Sequence, residues 1–153
     1  MQSQREEPFA AFQANWEVSA YGITPPMTQF PIALLPLPID WNHLHQISDH
    51  NSEFELELLQ MFAEDTEHHL KQLEAAIATQ DFSASEQQAH YIKGSSANVG
   101  LRSMQTAAST LEIQARNHQL DNPNSQILIL QQTLEALQIF LMSAVELSRI
   151  ALS

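Results

Sequence analysis

Apolar residues recur at a three- and four-residue spacing along most of the chain after residue 39, which is typical of helices with one buried face. The first long helix is predicted from Ser52 to about Thr79, because Ser52 and Glu55 have the form of a capping box. Its predicted buried residues are Leu59, Phe62, Leu70, Leu73, Ala76 and Ile77.

A second long helix is predicted between residues 83 and 99. Ser83 and Glu86 form another candidate capping box, and Gly100 is placed to end the helix in a left-handed turn. At about 100° of rotation per residue, one side of this helix is small and apolar. That predicted buried face consists of Ser85, Ala89, Ile92, Ser96 and Val99.

The third and fourth long helices are predicted on either side of the loop DNPNS. The third spans about residues 102–117, and its apolar stripe is Met104, Ala107, Ala108, Leu111 and Ala115. Asn122 is expected to cap the fourth helix and Pro123 to take its first position, with the end near Ile150. The stripe of this helix is Leu130, Leu134, Leu137, Leu141, Val145 and Leu152.

A short helix is predicted immediately before these four. Asp40 can cap it, and Trp41, Leu44 and Ile47 are its apolar residues. Four long helices with short connections predict an all-α fold, an antiparallel up-and-down four-helix bundle, with the short helix covering one end. Residues 39–153 therefore form one predicted domain.

Residues 1–38 differ in composition from the rest of the chain. Six of the seven prolines lie in this segment, and proline lacks the backbone N–H that helices need. The segment is therefore predicted to be an extended, Pro-rich N-terminal arm or linker. It also carries aromatic and aliphatic residues, which leaves two uses open: packing onto the chain's own bundle, or capture of a partner.

The charge and composition exclude several classes of partner and site. Eighteen acidic residues against six basic ones give a net charge of -12, which disfavours nucleic acid and anionic membranes as partners. The absence of cysteine excludes disulfides and thiolate metal sites. We find no apolar run of the roughly 18 residues that a membrane span needs, and no leader at the N-terminus. A cytoplasmic protein without membrane insertion, and a monomer, is expected.

The segment AHYIKGSS on the second long helix points an imidazole toward solvent. His90 lies about 130° from the centre of the predicted buried face, Lys93 lies on the flank, and Gly94 and Ala97 share the outward side with His90. A neutral imidazole is a good nucleophile, and a phosphoryl group on it would add about two negative charges, which Lys93 could offset. An outward Gly94 adds nothing to packing but lets another molecule approach His90.

The longer segment AHYIKGSSANVG resembles the signature of histidine-containing phosphotransfer (HPt) domains, approximately A-H-x-x-K-G-x-S-x-x-x-G. The matching residues are Ala89, His90, Lys93, Gly94, Ser96 and Gly100. Leu111 and Glu112 are similar to the family's usual continuation on the following helix. The resemblance covers roughly residues 40–150.

The resemblance implies a phosphocarrier in a two-component phosphorelay. His90 would accept a phosphoryl group from the aspartyl phosphate of one receiver domain and pass it to another. Lys93 would steady the phosphate, Gln87 would hydrogen-bond the imidazole or the phosphate, and Gly94 and Ala97 would face the docking partner. The implied partners are receiver domains of response regulators and of hybrid sensor kinases.

No catalytic machinery is expected on this chain. It has no Gly-rich nucleotide loop, and the carboxylates and Mg²⁺ of phosphoryl transfer are implied on the receiver instead, so the chain needs no cofactor of its own. Ser95 and Ser96 are predicted to point away from His90, which disfavours a Ser–His nucleophile. An HPt-like scaffold that binds receiver or kinase partners without carrying phosphate remains the alternative.

The other histidines raise the question of a metal site. His43, His45 and His50 cluster near the short helix, and the first long helix contains the pairs Glu64–His68 and Asp65–His69. Metal sites in bundles need inward ligands from several helices, and cysteine is absent. We therefore expect no intrinsic metal site.

Overall fold

The computed structural model describes Leu37 and residues 39–152. The predicted N-terminal arm, residues 1–38, therefore lies outside the described residues except for Leu37, which is buried in the core. The described residues form five helices, in chain order α1 (Trp41–Ser48), α2 (Ser52–Ala78), α3 (Phe82–Val99), α4 (Arg102–Arg116) and α5 (Asn124–Leu152).

The four long helices pack in a closed ring, and the predicted all-α fold is confirmed. In this ring α2 lies against α3 and α5, and α4 lies against the same two helices, so α3 and α5 are diagonal to one another. The short helix α1 packs at one end, where the ring centroid of Trp41 lies 5.6 Å from that of Phe140 on α5. No strand occurs among the described residues, where Ile39 and Leu101 form one isolated bridge.

Most of the core is formed by the predicted apolar stripes, but Leu101 and Phe140, which belong to none of them, are also fully buried. Its largest fully buried side chains are Leu44, Leu59, Leu73, Ile92, Leu101, Met104, Leu111, Leu130, Leu137 and Phe140. Two expected core positions are wrong, because Ile47 and Val145 are exposed while Ser48 and Ala144 are buried beside them. Burial of many aliphatic side chains at about 25 cal/mol per Å² is the main stabilising term of such a bundle.

Both predicted capping boxes are wrong by one or two residues. Asn51, not Ser52, caps α2, since its side chain accepts a hydrogen bond from the Phe54 N–H at 3.1 Å. Asp81, not Ser83, caps α3 in the same way, through the Ala84 N–H. Asn and Asp are at least as good as Ser in this position, and here they hold the extended backbone that a cap requires.

The end of α3 is held against the start of α1. Gly100 ends α3 as predicted, in a left-handed conformation with φ of 82°. The Asp40 N–H donates to the Gly100 carbonyl at 2.8 Å, and the Asp40 carboxylate accepts from the His43 N–H and so caps α1 as predicted. These contacts fix the end of the helix that carries His90.

The last helix starts one residue later than predicted. Pro123 precedes α5, and its carbonyl accepts the Ile127 N–H at 3.0 Å, so Asn124 is the first helical residue. Contrary to our expectation, the segment Asn124–Leu147 is long and apolar enough to cross a membrane by length and composition. One side of it lies in the bundle core, and core helices of soluble proteins pass the same test.

Candidate functional site

The inward face of α3 fixes the direction of His90. Its five buried residues are the ones that the spacing predicts: Ser85, Ala89, Ile92, Ser96 and Val99. With that face against the core, the His90 side chain is 70% exposed and the Lys93 side chain is 31% exposed. An imidazole and an ammonium group therefore lie side by side at the surface, one helical turn apart.

Gly94 lies on the same outward side as His90, and no core contact requires it. A Cβ built at Gly94 would have no heavy atom within 4 Å. Ala97 follows within one turn and is half-buried. The surface beyond Lys93 therefore has no large projecting side chain and is open to solvent.

A carboxylate from the neighbouring helix joins the two basic side chains. Glu112 on α4 is only 3% exposed, and its two oxygens are divided between them. His90 Nδ1 hydrogen-bonds to Oε2, and Lys93 Nζ donates to Oε1 at 2.6 Å. Arg116 Nη2 lies 3.7 Å from the same Oε2. The buried carboxylate is thus satisfied by cationic or polar donors on its exposed side.

Glu112 is held in its ionised form. Burial alone would raise the pKa of this carboxyl, but the hydrogen bonds from Lys93 and His90, together with their charges, outweigh burial and lower the pKa below its usual value. A carboxylate can only accept a hydrogen bond, so Nδ1 of His90 carries a proton. In the neutral imidazole the lone pair then lies on Nε2, the ring nitrogen not engaged by Glu112.

Sequence reasoning missed this role of Glu112, which entered only as part of the Leu111–Glu112 resemblance. The spacing of the apolar residues on α4 already indicated that Glu112 is buried. Glu112 follows Ala108 by four residues and precedes Ala115 by three, so it lies on the edge of a buried stripe. An acidic residue at such a position requires a partner from another helix.

Glu86 and Gln87, two other neighbours of His90 on α3, have different surroundings. Glu86 does not cap α3, since it accepts a hydrogen bond from Arg116 Nε at 2.8 Å and links α3 to α4. Gln87 is exposed one turn before His90. Its role in holding the imidazole or phosphate stays a prediction, because the Nδ1 contact belongs to Glu112.

Comparison with known proteins decides the family. The family model described as the Hpt domain matches residues 57–140, more than half of the chain. The chain belongs to the HPt domain family. This confirms the resemblance of the AHYIKGSSANVG segment and supports a phosphotransfer role in two-component signalling.

Solved structures agree with this family at the level of the whole bundle. Histidine-containing phosphotransfer protein B (HptB) from Pseudomonas aeruginosa PAO1 is 26% identical, with a TM-score of 0.65 over 73% of this chain and 96% of that one. The HPT domain of a sensor hybrid histidine kinase from Shewanella shares the fold, with 16% identity and a TM-score of 0.51 over 71% of this chain and 92% of that one. A search of curated proteins gives no match.

On the α2 side of His90, the HPt bundle presents an aromatic residue braced by polar groups. Tyr91 is partly exposed, its ring stacks on His69 at 3.8 Å between centroids, and its hydroxyl donates to Asp65 at 2.6 Å. The hydrogen bond to Asp65, with burial and the negative charge of Asp65, raises the pKa of Tyr91. The Gln88 Oε1 atom accepts a hydrogen bond from His69 Nδ1 at 2.6 Å, which ties α2 to α3.

The histidines weighed for a metal site are engaged in other contacts of the HPt bundle. His43 Nε2 lies 2.9 Å from the Asn98 carbonyl, His45 Nδ1 lies 2.7 Å from Glu55 Oε1, and His68 lies 3.1 Å from Gln72. Among the described residues, no group of three or more possible ligands is placed to hold a metal ion.

The two serines after Gly94 donate to their own helix. Ser95 Oγ reaches the Tyr91 and Ile92 carbonyls, and Ser96 Oγ reaches the Ile92 carbonyl at 2.6 Å. Their hydroxyls are therefore used in helix contacts and not at His90.

Proposed function

We propose that this HPt domain accepts a phosphoryl group on His90 Nε2 from the aspartyl phosphate of a receiver domain and passes it to another receiver domain. The observation that carries the proposal is the outward imidazole whose Nδ1 is engaged by the buried, ionised Glu112. The proposal takes the protein to be a cytoplasmic monomer and a carrier without catalytic machinery of its own.

The chemistry assigns a role to each nitrogen of the imidazole. Nε2 attacks the phosphorus, the bond from phosphorus to the aspartyl oxygen breaks, and the aspartate leaves as a carboxylate. The phosphorylated ring keeps its proton on Nδ1 and carries positive charge, which the Glu112 carboxylate stabilises, as the triad aspartate does for histidine in hydrolases. Reversal of the same step on a second receiver returns the imidazole to its neutral form.

Lys93 is proposed to balance the charge of the phosphate. Its ammonium group has three donors, one of which is used by Glu112 Oε1. The remaining donors are available to phosphate oxygens on the adjacent imidazole. Gln87, exposed on the other side of His90, is proposed as a further donor. The Mg²⁺ that assists transfer is assigned to the receiver, whose carboxylates hold it.

The docking surface is proposed to include Gly94 and Ala97, together with the adjacent side chains of Tyr91 and Met61. Gly94 leaves open space, and the Met61 side chain is exposed on the neighbouring helix α2. Met61, Tyr91 and Ser95 line one shallow groove between α2 and α3. Aromatic residues and methionine are common in interface cores, so this surface suits a partner with an apolar docking helix.

Transfer from a phosphorylated receiver tests the proposal. Full-length protein should become labelled on histidine, with a phosphate that is stable in base and labile in acid. His90→Gln should abolish labelling while the far-ultraviolet circular dichroism spectrum stays the same, and His118→Gln, a change at another exposed histidine, should leave labelling intact. Labelling that persists in His90→Gln, or binding of receivers to wild type without any label, would contradict the carrier role; the second result would favour the scaffold alternative.

A further inference from the structure

The outer face of α5 carries large apolar side chains in solvent. Met142 is 73% exposed, Leu128 50% and Val145 44%, although the core needs only the opposite side of the helix. Leu128 and Met142 lie about 40° apart on the helical wheel, and Val145 follows Met142 by one turn. Met142 and Val145 are neighbours on this face, whereas Leu128 lies about 21 Å away along the helix. The apolar part of the face is therefore its Met142–Val145 end, and exposed apolar neighbours indicate a surface that another segment covers.

We propose that residues 1–36 of the N-terminal arm pack along this outer face and contact Met142 and Val145. The chain enters the described bundle at the turn between α3 and α4, where Ile39 bridges to Leu101, and it reaches α5 at Trp41. Leu37 is buried in the core, and Trp41, four residues later, has its ring 5.6 Å from that of Phe140 on α5. Thirty-six residues can span up to about 120 Å, whereas the 29 residues of α5 measure about 44 Å.

The composition of the arm fits an apolar helix face. Residues 1–36 contain the aromatic residues Phe9, Phe12, Trp16, Tyr21 and Phe30. The prolines of residues 1–36 favour an extended conformation without internal hydrogen bonds, in which the side chains point outward. Other Pro-rich segments bind apolar grooves in this conformation. With one basic and three acidic residues, this part of the arm carries only -2 of the net charge of -12.

Charge argues against a second copy of the chain as the occupant. The remainder of the chain carries -10, and Glu135 and Glu146 lie exposed on the same outer face as Met142. Pairing two such faces would bring these carboxylates together between two strongly acidic domains. A tethered segment is also present at an effective concentration on the order of 1 mM, which favours it over a second molecule.

The absence of cysteine allows a sharp test with one nitroxide label in the full-length chain. A label on Glu146→Cys, next to Val145 on α5, should strongly reduce the amide NMR signals of residues 1–36. The matched label on Ser83→Cys lies at the start of α3, on the helix diagonal to α5 and at the end away from Ile39 and Asp40, and should leave these signals close to full intensity. Arm signals unaffected by the Glu146 label, or reduced equally by both labels, would overturn the proposal.

Two controls separate the arm from other occupants. The double change Met142→Gln with Val145→Gln should restore the arm signals in the Glu146-labelled chain, whereas Met61→Gln, at an equally exposed apolar residue on α2, should not. In a mixture of nitroxide-labelled chains and isotope-labelled chains without cysteine, the arm signals should stay unchanged. Their loss in this mixture would assign the face to a second copy. None of these measurements depends on phosphorylation of His90.

Discussion

At the residue scale, Glu112 unites the two charged side chains of the site. One carboxylate oxygen is bound by His90 and the other by Lys93. A change in either contact therefore alters how much of the carboxylate charge the remaining donor balances. Because Glu112 is buried, water cannot replace a lost donor easily. We therefore assign Glu112 as a positioning residue that orients the imidazole and stabilises its charge.

Replacing Glu112 by glutamine should slow phosphorylation and destabilise the fold at neutral pH. Loss of charge-assisted hydrogen bonds should cost about 1–3 kcal/mol in the free energy of unfolding. If 1.4 kcal/mol of transition-state stabilisation is lost as well, transfer slows by roughly tenfold. Urea unfolding and transfer rates measured on Glu112→Gln test both effects. The control is Glu86→Gln, which removes the more exposed ion pair with Arg116 and should change stability and transfer rate less.

The lowered pKa of Glu112 also predicts a pH dependence. Its folded-state pKa lies below the unfolded value, so the stability it contributes is complete above the unfolded pKa and is lost as the pH falls through the folded pKa. The difference in unfolding free energy between wild type and Glu112→Gln should therefore shrink from about pH 7 to about pH 3. A difference that stays constant over this range would show that Glu112 acts by packing alone.

The two glycines that flank Ala97 should respond in opposite directions to alanine. At Gly94 a Cβ meets nothing, so Gly94→Ala should stabilise the helix by about 1 kcal/mol. Gly100 has φ of 82°, and a Cβ there would lie 3.1 Å from Asp40, so Gly100→Ala should destabilise by about 1 kcal/mol or more.

Transfer measurements complete the comparison of the glycines. Gly94→Ala should transfer phosphate more slowly despite its higher melting temperature, because the added methyl group enters the proposed docking surface. If Gly94→Ala instead lowered stability, the glycine would have a packing role. Equal transfer in wild type and Gly94→Ala would remove Gly94 from the docking surface.

At the scale of elements, periodicity predicted the helices better than it predicted their ends. The buried face of α3 and the stripe of α4 are those expected, because burial of one helix face is set by spacing that can be read locally. The caps of α2 and α3 were misassigned because several capping residues stand close together in each loop. Only the backbone conformation of Asn51 and Asp81 decides between them.

The corrected start of α2 gives a direct test. Asn51→Ala should lower the free energy of unfolding by about 1 kcal/mol, because the Phe54 N–H loses its acceptor. Ser52→Ala should change it much less, since Ser52 makes no cap. Thermal unfolding of the two variants separates the assignments, and the reverse order of effects would restore Ser52 as the cap.

At the scale of the whole molecule, the site depends on contacts that local sequence does not specify. His90, Lys93 and Gly94 share one helix, so their common face followed from spacing and the family signature. Glu112 lies on another helix, and its distance from His90 follows only from how α3 packs on α4. The brace of Tyr91 by Asp65 and His69 was missed for the same reason.

The net charge of -12 predicts that moderate salt stabilises the folded protein. Acidic residues outnumber basic ones threefold, so repulsion dominates at the surface, and it is screened over about 10 Å at 0.1 M salt. The buried Glu112 pair is screened much less and keeps its contribution. Raising NaCl from about 10 mM to about 200 mM should increase the melting temperature, with 1 kcal/mol corresponding to roughly 4 °C.

A variant with less surface repulsion provides the control for this salt effect. Glu57 and Glu64 are exposed two turns apart on one side of α2, and changing both to glutamine should reduce the dependence of the melting temperature on NaCl. The same increase in both proteins would point to a general effect of salt on apolar burial. A decrease in the wild type would mean that attractive pairs such as Arg116–Glu86 outweigh the repulsion.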